Sequence, residues 1–240
     1  MTLLSWQRAG AAGGPAVVLV HRWAGSGSEW ERAGWTDALA HAGRDVLVPD
    51  LPGHAASADV VPPRGSTPAA WGADAILSDL AHLGVTDAAV AAYDDACPIA
   101  GHLAVRAPGT ISRMVLVGCD DTVGQPYAAE AAAALRDPAA RVWHAEASSL
   151  LQRARADRRH DPATLATWLE GLAWPAAPRL GALTTPVLLA VGTEDPHRAR
   201  APRLAQLFHD GRLVTVPGDE RAALRAPELL RAVVDFVGGV

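Results

Sequence analysis

Short apolar, β-branched runs alternate along this chain with longer segments in which apolar residues recur every three to four positions. That is the pattern of a parallel sheet covered by helices on both faces. Residues 16–21, 45–49, 88–93, 111–117, 186–191 and 212–216 read as six strands, and residues 3–8 as a further edge strand. Helices are expected over residues 35–42, 68–83, 96–107, 201–208 and 222–237. Residues 9–15 and 60–68 read as ordinary Gly/Pro-rich loops. The connection over residues 120–185 is far longer than a usual crossover, alanine-rich and helical in pattern. An insertion at the carboxyl ends of parallel strands would cover the crevice where such sheets bind ligands. The expectation is one α/β domain over residues 1–240, with a core of 1–120 and 186–240 and a helical cap over about 121–185.

Composition narrows the function classes. With 50% hydrophobic and 20% charged residues, the 240-residue chain has enough apolar surface for a sizeable core. The net charge of −5 gives no overall basic field, so neither nucleic acid nor an anionic membrane is an expected partner. All 21 basic residues are arginine, a bias that points to a high-GC bacterial gene and says nothing of chemistry. Cys97 and Cys119 are too few for a disulfide framework and lack the spacing of a zinc site. Residues 1–20 lack the pattern of a secretory signal and no long apolar run occurs, so a cytoplasmic protein, monomer or homodimer, is expected. No metal spacing and no dinucleotide fingerprint stands out, so no cofactor is inferred.

The stretches VVLVHRWAGSGSEW and VLVPDLPGHAAS resemble the amino-terminal part of α/β-hydrolase-fold enzymes, where a His-Gly turn after a strand precedes Asp-x-x-Gly-His-Gly-x-Ser. HLAVRAPGTISRMVLVGC resembles the helix and strand after the nucleophile of that family, which places the nucleophile elbow on residues 92–96 and Asp94 at its centre. PVLLAVGTEDPHR resembles the strand and turn that carry the acid, placing Asp195 there. RLVTVPGDERAALRAPELLRAVVDF resembles the region of the catalytic histidine, with Glu220 at its position. The resemblance implies an α/β-hydrolase fold: a mostly parallel twisted sheet, flanking helices and a helical cap. The chain departs from the pattern at the chemistry. Gly-x-Ser-x-Gly has become Ala-x-Asp-x-Ala, the Gly after the first His is Arg22, and the base is Glu220.

The residues themselves allow two roles at each position. Ala92 and Ala96 are small enough for the sharp strand-to-helix turn of an elbow. Asp94 at a helix start would face unpaired N–H groups, which suits either a reactive carboxylate or a plain cap, and Asp95 competes for the cap. Glu220 begins about two pKa units below a histidine, and crowding with Asp94 and Asp195 would raise one carboxyl of the set. Asp195 and Glu220 also suit ordinary helix starts. Arg22 and Trp23 stand where the family contributes a backbone N–H to its oxyanion hole, and Arg22 could pair with Asp94, with Glu220 or with a substrate. Tyr93 and Asp95 flank the elbow centre. In the expected cap, Tyr127, Trp143, His144 and Trp168 would suit a small apolar substrate or would pack the cap onto the core, as would Trp174. His21 and His54 occupy motif positions that are usually structural, and His144 and His197 are candidates for a substitute base. Three functions stay open: non-hydrolytic acid/base chemistry such as isomerisation, elimination or cyclisation; hydrolysis through an Asp nucleophile, as in epoxide hydrolases and haloalkane dehalogenases; and a silent binding or scaffold protein.

Overall fold

β-branched and alanine-rich runs that can be buried on both faces form the middle of a seven-stranded sheet. The computed structural model describes residues 3–63, 65–122 and 125–239. The chain runs β1 (Trp6–Gly10), β2 (Ala16–Val20), α1 (Ser28–Arg32), α2 (Trp35–His41), β3 (Asp45–Pro49), α3 (Pro68–His82), β4 (Ala88–Tyr93), α4 (Cys97–Arg106) and β5 (Ile111–Val117). It continues through α5 (Ala128–Arg136), α6 (Ala145–Arg155), α7 (Pro162–Gly171), α8 (Ala177–Gly181), β6 (Val187–Gly192), α9 (Ala201–Leu207), β7 (Gly211–Val216), α10 (Glu220–Leu224) and α11 (Pro227–Gly238). The strand order is β1-β3-β2-β4-β5-β6-β7. Only β1 pairs antiparallel, with β3; the other neighbours are parallel. Successive side chains leave a strand on opposite faces. Val18 and Val20 accordingly join Ile76, Ile99 and Leu103 on one side. Val17 and Leu19 join Trp30, Trp35, Leu229 and Val233 on the other.

The structure departs from the expected elements where local signals compete. The edge strand begins at Trp6 rather than Leu3 and reaches Gly10, inside what read as a loop. The N–H groups of Leu3 and Leu4 donate to the Asp79 carboxylate at 2.6 and 2.8 Å and so are diverted from the sheet. The expected carboxy-terminal helix is two helices, because Pro227 has no N–H to continue the first and instead opens the second. The helix α1, five residues long, is too short to show a period.

Between β5 and β6 the chain folds into the four helices α5 to α8. Three indoles tie this insertion to loops that leave the carboxyl ends of strands. Trp23 Nε1 donates to the Leu165 carbonyl at 3.0 Å, Trp168 Nε1 to Pro52 at 2.9 Å and Trp174 Nε1 to Asp120 at 3.1 Å. Those loops follow β2, β3 and β5, so the insertion lies over the carboxyl ends of the sheet, the side where parallel sheets place their sites.

Candidate active site

Asp94 sits where β4 turns into α4. Its backbone has φ +55°, a left-handed conformation that a non-glycine residue adopts only where its surroundings enforce it. Ala92 and Ala96, both fully buried, leave room for the turn. The residue is 5% exposed and stands in the turn before α4, whose N-cap is Ala96, so Asp94 is not the cap of that helix. Burial, and then the charges of Asp95 and Glu220, push its carboxyl well above the usual carboxylate range, against the pull of Arg153 and Arg22. Arg153 Nη1 lies 3.6 Å and Arg22 Nη1 3.9 Å from Asp94 Oδ2. Arg153 descends from α6 of the insertion, and its Nη1 is buried with no hydrogen-bond partner among the described residues.

Glu220 opens α10, whose cap is Asp219: its carboxylate accepts from the Ala222 N–H at 2.8 Å. Glu220 is therefore released from capping. Its Oε1 accepts the Tyr93 hydroxyl and faces Arg22 Nη1 at 3.4 Å. Asp94 and Glu220 thus share one guanidinium nitrogen. Arg22 is held in turn by Glu29 Oε1 at 3.2 Å and lies 5.4 Å from the Tyr93 ring centre. Burial and the Glu220 carboxylate drive the Tyr93 phenol far above its ordinary value, so it serves as a fixed donor.

Asp195 follows β6. Its Oδ1 accepts the His197 N–H at 2.8 Å as a local cap, while Oδ2 is buried and has no partner among the described residues. Burial raises its pKa. Gly118, at φ +64°, seats it beside Glu220: a Cβ at Gly118 would come within 3.1 Å of Glu220 Cγ and 3.5 Å of Asp195 Oδ2. Three strand ends thus bring Asp94, Glu220 and Asp195 into one neighbourhood, with Asp94 and Glu220 linked through Arg22, and Glu220 and Asp195 meeting over Gly118.

The neighbouring Asp95 changes what this site can do. Its Oδ1 accepts the Trp23 N–H at 2.6 Å, and Gln125 Nε2 lies 3.3 Å from its other oxygen. Burial raises Asp95, while Arg153 and the Trp23 N–H lower it. In acyl-transfer enzymes with such an elbow, an N–H of this loop stabilises the oxyanion. Here a side chain of the protein already occupies that donor. Beside Asp94 and Asp95 lies a cavity of about 40 Å³, lined also by Cys119, Asp120, Trp174 and His197, with room for little more than water.

Of the aromatic residues expected in the insertion, among the described residues only Trp174 lines a cavity with Asp94. Trp23 and Trp168 are 2% and 1% exposed, packed into the core with their N–H groups on carbonyls, because large indoles gain most when wholly buried. Trp143 is 74% exposed. Tyr127 stacks on His144 at 3.8 Å, and His144 Nδ1 lies 2.5 Å from Glu130 Oε2, so this exposed pair faces its own helix termini. None of these three lines a cavity with Asp94. His197 pairs with Asp120 at 3.0 Å. Arg153, Gln125 and Gly118 escape the sequence reading. Gly118 directly after a strand carries a turn signal, whereas nothing local shows which arginine of the insertion reaches the elbow. Among the described residues no group of three or more His, Cys, Asp or Glu could hold a metal ion, and no helix is long and apolar enough to cross a membrane.

Comparison with known proteins gives the fold a wide context. Residues 15–221 match the family described as alpha/beta hydrolase fold. No curated protein matches the sequence at a significant level. Among solved structures, the enol-lactonase from Burkholderia xenovorans superposes with a TM-score of 0.80 at 23% identity, over 98% of this chain and 96% of that one. A thermophilic esterase from Thermogutta terrifontis gives 0.78 at 20%, over 98% and 93%. A haloalkane dehalogenase loop variant from Bradyrhizobium elkanii gives 0.69 at 17%, over 98% and 93%. At these identities the likeness shows the fold.

Proposed function

This chain belongs to the α/β-hydrolase-fold family, and we propose that it is an enzyme that moves protons on a small molecule without hydrolysing it, with Asp94 as acid and Glu220 as base. The observation that carries this reading is the sharing of Arg22 Nη1 by Asp94 Oδ2 and Glu220 Oε1, at 3.9 and 3.4 Å. A buried carboxyl raised by its neighbours keeps its proton where an exposed one would lose it, so Asp94 can donate. Glu220 accepts from Tyr93 and Arg22, which is the bonding of a carboxylate, so it can receive. A substrate spanning the two would lose a proton from carbon or oxygen to Glu220 and gain one on a carbonyl or leaving-group oxygen from Asp94. That exchange yields an isomerised, eliminated or ring-closed product according to the substrate. Arg22 would hold the developing negative charge between them.

The same features weigh against an Asp-nucleophile hydrolase. Burial and the neighbouring carboxylates raise Asp94, which disfavours the ionised form a nucleophile needs, and the Trp23 N–H is taken by Asp95.

The test is a panel of enolisable keto acids and enol-lactones incubated in D2O and in H2(18)O. Expected is deuterium incorporation or conversion without (18)O in product, reduced about 100-fold to 10,000-fold in Asp94→Asn and Glu220→Gln. Incorporation of (18)O with an ester adduct on Asp94 would establish the hydrolase instead. Unchanged rates in both variants would remove these residues from the chemistry.

A further inference from the structure

Next to the carboxylates, on the outer side of Arg22, a cleft of about 620 Å³ opens between the loop after β2, α1 and the insertion helix α6. Its walls include Arg22, Arg32, Arg153, Arg159 and Arg221 against the carboxylates of Glu29 and Asp157. An adjoining recess of about 200 Å³ shares Arg22, Arg32, Arg221 and Glu29 with it and adds Arg225 and Tyr93. Six of the 21 arginines of a chain with net charge −5 thus gather along one groove.

The arginines divide by what already neutralises them. Arg159 is bound two-fold by Asp157, with Nη2 to Oδ2 at 2.6 Å and Nε to Oδ1 at 3.0 Å. Arg22 is held by Glu29 and Glu220, and Arg153 stands over Asp94 and Asp95. Arg32 donates only to the neutral Ser28 hydroxyl, at 2.7 Å. Among the described residues Arg32, Arg221 and Arg225 form no ion pair, and Arg221 and Arg225 no side-chain hydrogen bond. Three uncompensated guanidinium groups therefore converge from the end of α1 and from α10, and the groove they line leads to Arg22. Concentrated unpaired charge in a concave wall costs stability through mutual repulsion, and a carboxylate or phosphoryl oxygen set matches the planar fork of arginine. The volume suits a small molecule.

We propose that this groove binds the anionic end of the substrate, a carboxylate or phosphoryl group held by Arg32, Arg221 and Arg225, while the reacting end lies at Asp94 and Glu220. As the substrate class of the enzyme this rests on the acid/base reading above; as an anion site it stands on the groove alone. Arg22 joins the two halves, since it lines the groove and touches both carboxylates. The specificity is then for molecules with fixed negative charge a few bonds from the reacting atoms.

Calorimetric titration at constant ionic strength tests this with inorganic pyrophosphate and, separately, citrate, so that the two arms distinguish phosphoryl from carboxylate recognition. Expected is saturable one-site binding of at least one of them, weakened about tenfold or more in the Arg32→Gln/Arg221→Gln double variant and unchanged in Arg212→Gln, whose side chain pairs with Asp210 on the far edge of the sheet. Circular dichroism confirms that the variants are folded. Non-saturating heats, or equal affinity in wild type and double variant, would overturn the proposal. A single-stranded oligonucleotide that binds more tightly than both probes and displaces them would overturn the small-molecule assignment. Asp94→Asn should keep the anion site, so failure of the acid/base reading leaves this result standing, and the reverse.

Discussion

Asp94 combines two costs at one residue: a left-handed backbone, of order 1–3 kcal/mol, and a carboxyl buried among other acids. The second can be removed without the first. Asp94→Asn keeps the shape and deletes the ionisation, and it should raise Tm by about 2–4 °C near neutral pH. The pH dependence carries the sign. A carboxyl whose pKa is raised by folding contributes its full stability below the unfolded value of about 3.9 and loses it as pH climbs to the folded value. The Tm gap between variant and wild type should therefore widen as pH rises above about 4. A gap independent of pH would show that Asp94 is not the strained acid described above. The strand before Asp94 was legible from local pattern, but the place of Asp94 at an elbow came from the resemblance to the α/β-hydrolase fold, since by itself an aspartate at a helix start reads equally as a cap. The roles of Trp23, Trp168 and Trp143 were not legible, since an indole turns inward or outward according to carbonyls and cavities contributed by distant segments.

At the level of elements, the insertion is held by close contacts that depend on small residues. Gly72 lies inside α3, where alanine would favour the helix by about 1 kcal/mol. A Cβ there, however, would meet the Trp168 ring at 2.5 Å, and that ring is fixed by its bond to Pro52 and by full burial. Overpacking of this kind costs about 1–3 kcal/mol, so it should outweigh the helix gain. Gly72→Ala is expected to lower stability, read by urea denaturation, through the clash with Trp168, whereas Gly84→Ala, with open space around it but φ +72°, should carry only the strain of a left-handed alanine, about 1–2 kcal/mol. A more stable Gly72→Ala would mean that α7 slides readily on α3. The strands and the longer helices outside the insertion were readable largely from period, and the insertion only as helical in pattern, without its separate helices α5 to α8. The short helix α1 and the reach of β1 were not, because α1 is too short to show a period and β1 is settled by contacts outside its own segment, Asp79 on the residues before it and β3 beside it. The break at Pro227, by contrast, is a local signal that the period over residues 222–237 passes over.

Across the molecule, three histidines join the sheet to the insertion. His21 follows β2, His54 follows β3 and His160 precedes α7; their rings stand 5.2 and 5.4 Å apart, edge to face. His21 Nε2 accepts the Leu51 N–H at 2.9 Å, and its Nδ1 faces the Arg22 carbonyl at 2.8 Å. His160 Nδ1 accepts the Ala55 N–H at 3.1 Å. Each of these two rings thus needs one bare nitrogen and is neutral by its bonding. Burial lowers the pKa of all three, and for His54 the neighbouring His21 adds to it. A histidine whose pKa is depressed on folding contributes stability that is whole above the unfolded value of about 6.5 and is lost as pH falls through the folded value. This dependence has the opposite slope to that of Asp94 over an overlapping range of pH, so the histidine effect is read in the Asp94→Asn background, where the other is absent. Stability should fall as pH drops below about 6.5, and the loss should begin where the histidines meet. Hydrogen exchange at pH 5 against pH 7.5, after correction for intrinsic rates, is expected to show the amides of α6 and α7 losing protection before those of β4 and β5. Uniform loss across the sheet and the insertion would show that acid acts on the whole fold, and that the histidines do not hold the insertion over the carboxylates.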